Sequence, residues 1–598
     1  MRGISIVFLV LLIQAAAAQT AAPPSATIQP VQPANPQRQI VNRPPEASVR
    51  PEVLSAGDVD LYRRIFAAQR AGALSKAKKL FADVSDTSLK GYVEAGRLLA
   101  TKRAERDELV AWLTDYRELA IADKIYRAAV SHSAKRVKRG KKTIRVAVVT
   151  NIPVPSGVGT RSGGYEDAEL PPPAPQSDVA RAVWPQIQAD IKAGQPDAAL
   201  GRMRALVGTP DGDIAILSHR IAASYLAESV DTSAFALPAS ANSAFVPDLE
   251  WDAGFAAYRL GRYADAVMHL EKLAQNGAVP GEARARAAFW AARSLMQLGD
   301  PLKVISLLAA AAKEEPTFYG LISEKMLGTD TGTGFSDPVL SRQDLTDLMT
   351  APAARRAVAL WQVGENDYVG SELNRAFVQN NERLDPAMAA LARTLGVTNV
   401  ELRASEKSVA QGLLLTGLFP VPQYQPEGGW TLDSSVVLAI ARIESRFQTG
   451  PTSPAGARGI MQLMPATAAA FGGKGAAEKL DDPSYSLKLG QTYIAQLLDR
   501  LDGNMLEMGG AYNAGPLSVS RWRQTKAGKD DPLLFVESIP VAETRSYVRR
   551  LMEYHWMYRR RLGQDAKSLD DTARGRWPLY RPGQSASGTV AGKTDVPS

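Results

Sequence analysis

A helical repeat constrains this chain more than any other feature of its sequence. Trp251, Ala253, Tyr258, Leu260, Gly261 and Val267 recur 38 residues on as Phe289, Ala291, Met296, Leu298, Gly299 and Ile305. A looser echo sets Gly72 with Ala77, and Gly194 with Ala199, beside Gly261 with Ala266. In each case a glycine ends one helix, and a small residue shortly after it lets the next helix pack closely. Units of this length read as tetratricopeptide-type helix pairs. A single pair cannot bury its apolar face alone, so pairs stack into a superhelix; an irregular helical bundle is the alternative. Ala and Leu, both strong helix formers, dominate much of the rest. The fold class expected is therefore all-α.

At 598 residues the chain is too long for one hydrophobic core, and length alone suggests about three or four domains. Residues 1–18 read as a secretory signal: Arg2, an apolar core from Ile4 to Ile13, and Ala16-Ala17-Ala18 as the cleavage site. That core falls well short of the roughly 20 residues a membrane span needs; a retained anchor is the alternative. Residues 19–52, rich in Pro, Ala, Gln and Asn, read as a disordered linker. Residues 53–345 are expected to form the α-superhelical domain, interrupted at 133–177 by a basic, proline-rich insertion. The insertion opens on Lys135, Arg136, Lys138, Arg139, Lys141, Lys142 and Arg145 and closes on Pro171-Pro172-Pro173. It reads as a solvated loop with one short strand at Val146–Val149, or as an arm that binds a polyanion. Residues 346–425 form a helical connecting region, broken at Phe419-Pro420-Val421-Pro422 because proline cannot continue a helix. Residues 426–562 form the last domain, and the polar stretch 563–598 reads as a disordered tail.

Several chemistries are excluded. The chain has no cysteine, so disulfides and thiol catalysis are ruled out. Its four histidines, His132, His219, His269 and His555, lack metal-ligand spacing, and no phosphate-binding glycine loop is present. Neither a metal nor a cofactor is expected. The net charge of +8 favours anionic partners. Export argues against nucleic acid, and leaves cell-wall polymer or a membrane surface.

The last domain holds the strongest candidate for chemistry. In Asp433–Gly450 an N-cap at Asp433 or Ser434 precedes an apolar stripe of Val436, Val437, Ile440, Ile443 and Phe447. Gly450-Pro451 is expected to end the helix. Glu444 lies four residues after Ile440, on or beside the buried stripe and in the last turn. Burial and the negative end of the helix dipole both raise a carboxyl's pKa, which suits a general acid. The helix alone favours an exposed glutamate or an ion pair to Arg442 or Arg446; the segments that follow change that weighting. Downstream, Gly456 and Gly459 flank Arg458 in a string running to Gly459-Ile460-Met461-Gln462-Leu463-Met464-Pro465. Gln462 offers a donor and an acceptor to sugar groups. Ala511-Tyr512-Asn513-Ala514-Gly515 and Glu543-Thr544-Arg545-Ser546-Tyr547-Val548 follow.

Glu444-Ser445 and these three strings, in this order and spacing, resemble the soluble lytic murein transglycosylase family. The Trp251 repeat, Phe289-Trp290 and Phe318-Tyr319-Gly320 look, more loosely, like pieces of that family's α-superhelical ring. The resemblance implies a goose-lysozyme-like catalytic domain that cuts the β-1,4 bond between N-acetylmuramic acid and N-acetylglucosamine without consuming water. Glu444 would protonate the glycosidic oxygen, then take the proton from the muramic acid 6-hydroxyl as that oxygen closes a 1,6-anhydro ring. A second catalytic carboxylate, which two-carboxylate glycosidases need, is not required; Glu543 and Asp482 stay open as one. Tyr512 matches the family tyrosine whose hydroxyl touches the glutamate. Ser453, Met461, Gln462 and Asn513 match residues lining the glycan cleft, and Tyr547 packs near it. Two positions depart from the family pattern: Ser486 stands where Asn is usual, and Leu517 where Gly is frequent.

The expected protein is thus a periplasmic, monomeric cell-wall lyase acting on peptidoglycan strands, with cell-wall enzyme complexes as further partners. The superhelix is expected to form a curved wall that carries the catalytic domain. A lysozyme-like muramidase and a non-catalytic cell-wall scaffold are the alternatives.

Overall fold

The computed structural model describes residues 48–581, except 102–103, 133, 140–141, 148–151, 157–173, 238–242, 315, 330–333, 451 and 525–530. The signal and most of the linker lie outside the described residues, as does everything after 581. Within them the chain is helical apart from one antiparallel hairpin, β1 (Ala134–Arg139) with β2 (Lys142–Ala147), and a few isolated bridges. Of the short strand expected at Val146–Val149, Val146 and Ala147 end β2, and Val148 and Val149 lie outside the described residues. No described helix is long and apolar enough to cross a membrane.

The described residues fall into two compact units, one drawn from 167–333 and 424–598, the other from 38–166 and 334–423. The expected map, in which 53–345 formed one domain and 346–425 a connection, draws its boundaries elsewhere. In the second unit, Tyr62, Ile65, Leu109 and Trp112 share one core with Leu340, Leu360, Leu373 and Leu391. Polar contacts fix the same pairing. Gln362 Oε1 accepts from the backbone N–H groups of Val53 and Leu54, each at 3.0 Å. The Tyr92 hydroxyl donates to Glu372 at 2.5 Å. Residues 48–52, expected in the linker, join this unit: the Val49 N–H donates to the Leu340 carbonyl at 3.0 Å.

In the first unit the helices Asp178–Lys192, Pro196–Arg204, Asp211–Ala227 and Asp231–Ala236 precede the repeat. Asp248–Arg259 pairs with Tyr263–Ala274, and Gly281–Leu298 with Pro301–Ala312. Gly261 and Gly299 take φ of 74° and 79° between the paired helices, and Gly72 and Gly194 do the same in theirs. Only glycine enters that left-handed region without strain. Ala77, Ala199 and Ala266, the small residues of the motif, are buried.

The helix Phe318–Leu327 follows the repeat, and from residue 434 the unit is a bundle of helices: α1 (Ser434–Ser445), α2 (Pro465–Gly472), α3 (Pro483–Arg500), α4 (Met505–Ala514), α5 (Pro516–Trp522), α6 (Pro532–Glu537), α7 (Ala542–Arg561) and α8 (Lys567–Ala573). The stripe predicted for α1 is buried throughout. It packs antiparallel on α7, and polar contacts pin both ends of the pair. At the start of α1, Asp433 caps the helix through the Ser435 N–H and forms an ion pair with Arg559 near the end of α7. His555 lies between Ser435 and Ser568, at 2.8 and 3.2 Å. Its burial lowers its pKa, so the imidazole is held neutral.

The expected tail is not a tail as far as residue 581. Its α8 supplies Ser568, whose hydroxyl accepts from Trp556 Nε1 at 3.0 Å. Trp577 packs on Phe535, with ring centres 5.5 Å apart. The Tyr580 oxygen accepts the Asp433 N–H at 2.9 Å, just before α1 begins. Ending the chain at Gly563 therefore uncovers Trp556 and frees the start of α1. We expect that truncation to lower the unfolding temperature by several degrees, on the order of 2–4 °C for each kcal/mol lost, as read by calorimetry.

Candidate active site

Glu444 sits in the last turn of α1, half-buried, where the helix stops earlier than predicted. Arg446 caps it at φ 52° and Phe447 follows at 60°. Both are non-glycine residues in the left-handed region, an arrangement with a conformational cost. The sharp turn puts the Phe447 side chain back into the core, where it is buried.

The loop facing Glu444 is fastened to α1 and α3. The Ser445 hydroxyl is 2.8 Å from the Ile460 carbonyl and 3.1 Å from that of Ala441. The Met461 N–H donates to Ser486 Oγ at 3.3 Å. Ser486, one of the two departures, is thus a buried anchor of this loop; Leu517, the other, is exposed. Ser453 closes the preceding turn: its backbone N–H donates to the Ala457 carbonyl at 2.9 Å, and its hydroxyl accepts the Ala457 N–H at 3.0 Å. Gln462, at φ 43°, folds its side-chain amide onto the Gly459 carbonyl at 2.9 Å.

Two expectations change. The Tyr547 hydroxyl, not that of Tyr512, donates to the Glu444 carboxylate, at 2.8 Å. The Tyr512 hydroxyl donates instead to the Met461 carbonyl at 2.7 Å. Tyr512 is near enough that burial, then the Glu444 charge, raise its pKa well above that of a free tyrosine. Met461 does not line an open cleft: its side chain is fully buried against Gly490, and only its backbone serves the site. Asn513, on α4, accepts from the Thr544 hydroxyl at 2.6 Å and so ties α4 to the first turn of α7. The two carboxylates left open as a second catalyst have different places. Asp482 caps α3 by accepting the Tyr485 N–H at 2.8 Å. Glu543 is exposed in the first turn of α7.

Sequence reasoning missed a row of aromatic rings, the first three partly exposed and the last, Tyr547, buried. Phe471, Tyr493, Tyr512 and Tyr547 follow one another with centres 5.7, 5.4 and 6.4 Å apart. The signal for it was the helical phase of α2 and α3, which carries no ring-to-ring information on its own.

Burial raises the Glu444 pKa to about 7; the Tyr547 hydrogen bond opposes this, Glu543 adds to it and Arg550 subtracts. A carboxyl poised there holds a proton near neutrality and gives it up readily, as an acid that later serves as a base requires. An activity that needs protonated Glu444 falls as pH rises through about 7. Because Tyr547 donates to the carboxylate, Tyr547→Phe removes an interaction that favours the charged form. The alkaline limb should then move to higher pH, with turnover lower by roughly tenfold. A pH–rate profile of both proteins checks this.

The helical bundle thus holds one half-buried carboxyl, raised toward neutrality and bonded to a tyrosine. The transglycosylase SLT domain family matches residues 424–535 of the chain. The match ends before Tyr547. The chain is 36% identical over 154 residues to the soluble lytic murein transglycosylase of Escherichia coli K12, covering 25% of this chain and 24% of that protein. It is 35% identical over 153 residues to the Salmonella typhimurium protein of the same name, covering 24% and 23%. The matched part is thus about a quarter of the length of these relatives. Among solved structures, a lytic transglycosylase Slt from Pseudomonas aeruginosa, an inactive mutant, superposes with a TM-score of 0.53 at 20% identity, over 88% of this chain and 91% of that one. That likeness shows the fold: all-α, with stacked helix pairs followed by a lysozyme-like domain.

Proposed function

We propose that the protein is a peptidoglycan lytic transglycosylase that acts in the periplasm, with Glu444 as its single acid and base. The observation that carries the reading is the Glu444 carboxyl itself: raised to about 7, held by Tyr547, and set inside an SLT domain. In the protonated state it delivers its proton to the oxygen between N-acetylmuramic acid and N-acetylglucosamine. As carboxylate it then takes the proton of the muramic acid 6-hydroxyl. That oxygen bonds to the anomeric carbon, and the glycosidic bond breaks. No water enters, and the new end is a 1,6-anhydro sugar.

The supporting groups act by position. Gln462 and Asn513 offer amides at the site's edge, and the aromatic row offers faces on which sugar rings can stack. Tyr512 holds the loop by the Met461 carbonyl. A muramidase reading has one observation in its favour, the exposed carboxylate of Glu543, whose charge reaches Glu444; it could activate a water. Mass spectrometry of muropeptides released from purified sacculi separates the two. The transglycosylase yields muramic ends lighter by one water and inert to borohydride. Reducible ends in their place would establish hydrolysis.

A further inference from the structure

Helix α7 has two working faces. One meets α1 and carries Tyr547 to Glu444. The other carries Arg549, Trp556 and Arg560, spaced along one helical stripe, and meets the repeat helix Gly281–Leu298 and the helix Phe318–Leu327 that follows it. Phe318 stacks on Trp556 with centres 5.3 Å apart, and Arg560 pairs with Glu324 at 2.8 Å. Between these faces and α6 lies a buried polar chain. Trp290 Nε1 donates to the Tyr319 oxygen at 3.0 Å, and the Tyr319 hydroxyl donates to Glu537 at 2.8 Å. Glu537, the last residue of α6, accepts Arg549 Nη1 at 3.1 Å and faces Arg286 at 3.8 Å. Glu537 is shut off from water. Burial alone would raise its pKa, but Arg549, Arg286 and Arg545, with the Tyr319 hydrogen bond, hold it below the usual carboxylate range.

A buried ionic chain is a poor way to gain stability, because apolar packing of equal volume does as well or better. What it adds is a fixed geometry. Arg549 lies two residues after Tyr547, so any slide or rotation of α7 that disturbs one disturbs the other. A displacement of under an ångström turns a 2.8 Å hydrogen bond into no bond.

We propose that Tyr319 and Glu537 are positioning residues for the reaction: by gripping Arg549 they set α7 so that the Tyr547 hydroxyl meets the Glu444 carboxylate. The helix pairs are then part of the catalytic apparatus. The inference rests on the reading of Glu444 as the proton donor. The ionisable groups that bear most on Glu444 are Glu543, Tyr547 and Arg550 from α7, with Tyr512 from α4 nearby; Arg442, on its own helix, lies over the Tyr554 ring. Tyr319 and Glu537 are not among them, so a direct charge effect is not what their removal reports.

The test uses the full chain with Tyr319→Phe, Glu537→Gln, Tyr547→Phe and the double Tyr319→Phe/Tyr547→Phe. Turnover on soluble glycan strands is measured across pH. The Glu444 carboxyl is titrated independently by difference infrared spectroscopy against Glu444→Gln. We expect Tyr319→Phe and Glu537→Gln to lower kcat on the order of tenfold with KM unchanged. Both should move the carboxyl titration and the alkaline limb to higher pH, as Tyr547→Phe does. The double variant should add little to Tyr547→Phe alone, because coupled residues are not additive. Variants that lose thermal stability yet keep the wild-type kcat and titration would overturn the proposal, and so would additive effects in the double. If Glu444→Gln were as active as wild type, the reading of Glu444 would fall instead, and the infrared titration would still decide the positioning claim.

Discussion

Replacing Glu444 by Gln should abolish glycan release while making the protein more stable. Glutamine keeps the shape but cannot give or take the proton. General acid–base catalysis is worth about 10²–10⁴ in rate, and in the proposed reaction Glu444 serves in both directions, so a loss of at least roughly 10³ is expected. The stability effect follows from the raised pKa. The folded value is about 7 against 4.5 for the free side chain. A carboxyl raised on folding favours the native state most below its unfolded pKa, and loses that advantage as pH rises through the folded value. Above neutrality the charged, half-buried carboxylate is a burden that glutamine lacks. After allowing for its partial exposure, the variant should gain about 2 kcal/mol at pH 8 to 9 relative to pH 5. Denaturant melts at the two pH values test it. A gap between variant and wild type that does not change with pH would show that Glu444 is not held away from water.

Gly459→Ala should be the most damaging change in the loop that faces Glu444. Gly459 has φ +73°, and an added Cβ would lie 2.2 Å from the Leu480 carbonyl oxygen and 2.7 Å from Ser486 Oγ. The first is backbone and cannot swing aside. The second is the anchor that accepts the Met461 N–H. Left-handed strain costs about 1–2 kcal/mol for an L-residue, and the overlap adds to it, for a total of about 3–4 kcal/mol. Activity should fall further than stability explains, because Gln462 hangs on the Gly459 carbonyl and Tyr512 on Met461. Gly456, three residues earlier at φ +90°, has nothing within 4 Å of its Cβ position. Gly456→Ala should therefore cost only the strain, about 1–2 kcal/mol. Equal losses for the two variants would remove the close approach at Gly459 as the cause.

The contrast between those glycines shows what sequence can carry. The buried stripe of α1 and the place of Glu444 in its last turn were legible, because helical periodicity is local. The glycine ends of the helix pairs were legible for the same reason. The stop at Ser445 was not. Arg446 and Phe447 turn left-handed although neither residue type signals it, and the gain is the burial of Phe447 against other elements. The tyrosine on Glu444 was assigned to Tyr512 by motif, but the Tyr547 hydroxyl reaches it from α7, a distant segment whose register depends on packing. The pairing of 334–423 with 48–156 was hidden because Ala- and Leu-rich stripes look alike and do not name their partner. The folded stretch after Gly563 did leave a trace: Trp577, Leu579 and Tyr580 are unusual in a solvated tail.

The central claim is that Glu444 drives the sugar's own hydroxyl, not water, onto the anomeric carbon. Digestion of sacculi in oxygen-18-labelled water tests it most directly, with mass spectra of the new muramic ends as the readout. The account predicts anhydro ends that carry no label. Ends that are one water heavier and labelled with oxygen-18 would contradict it.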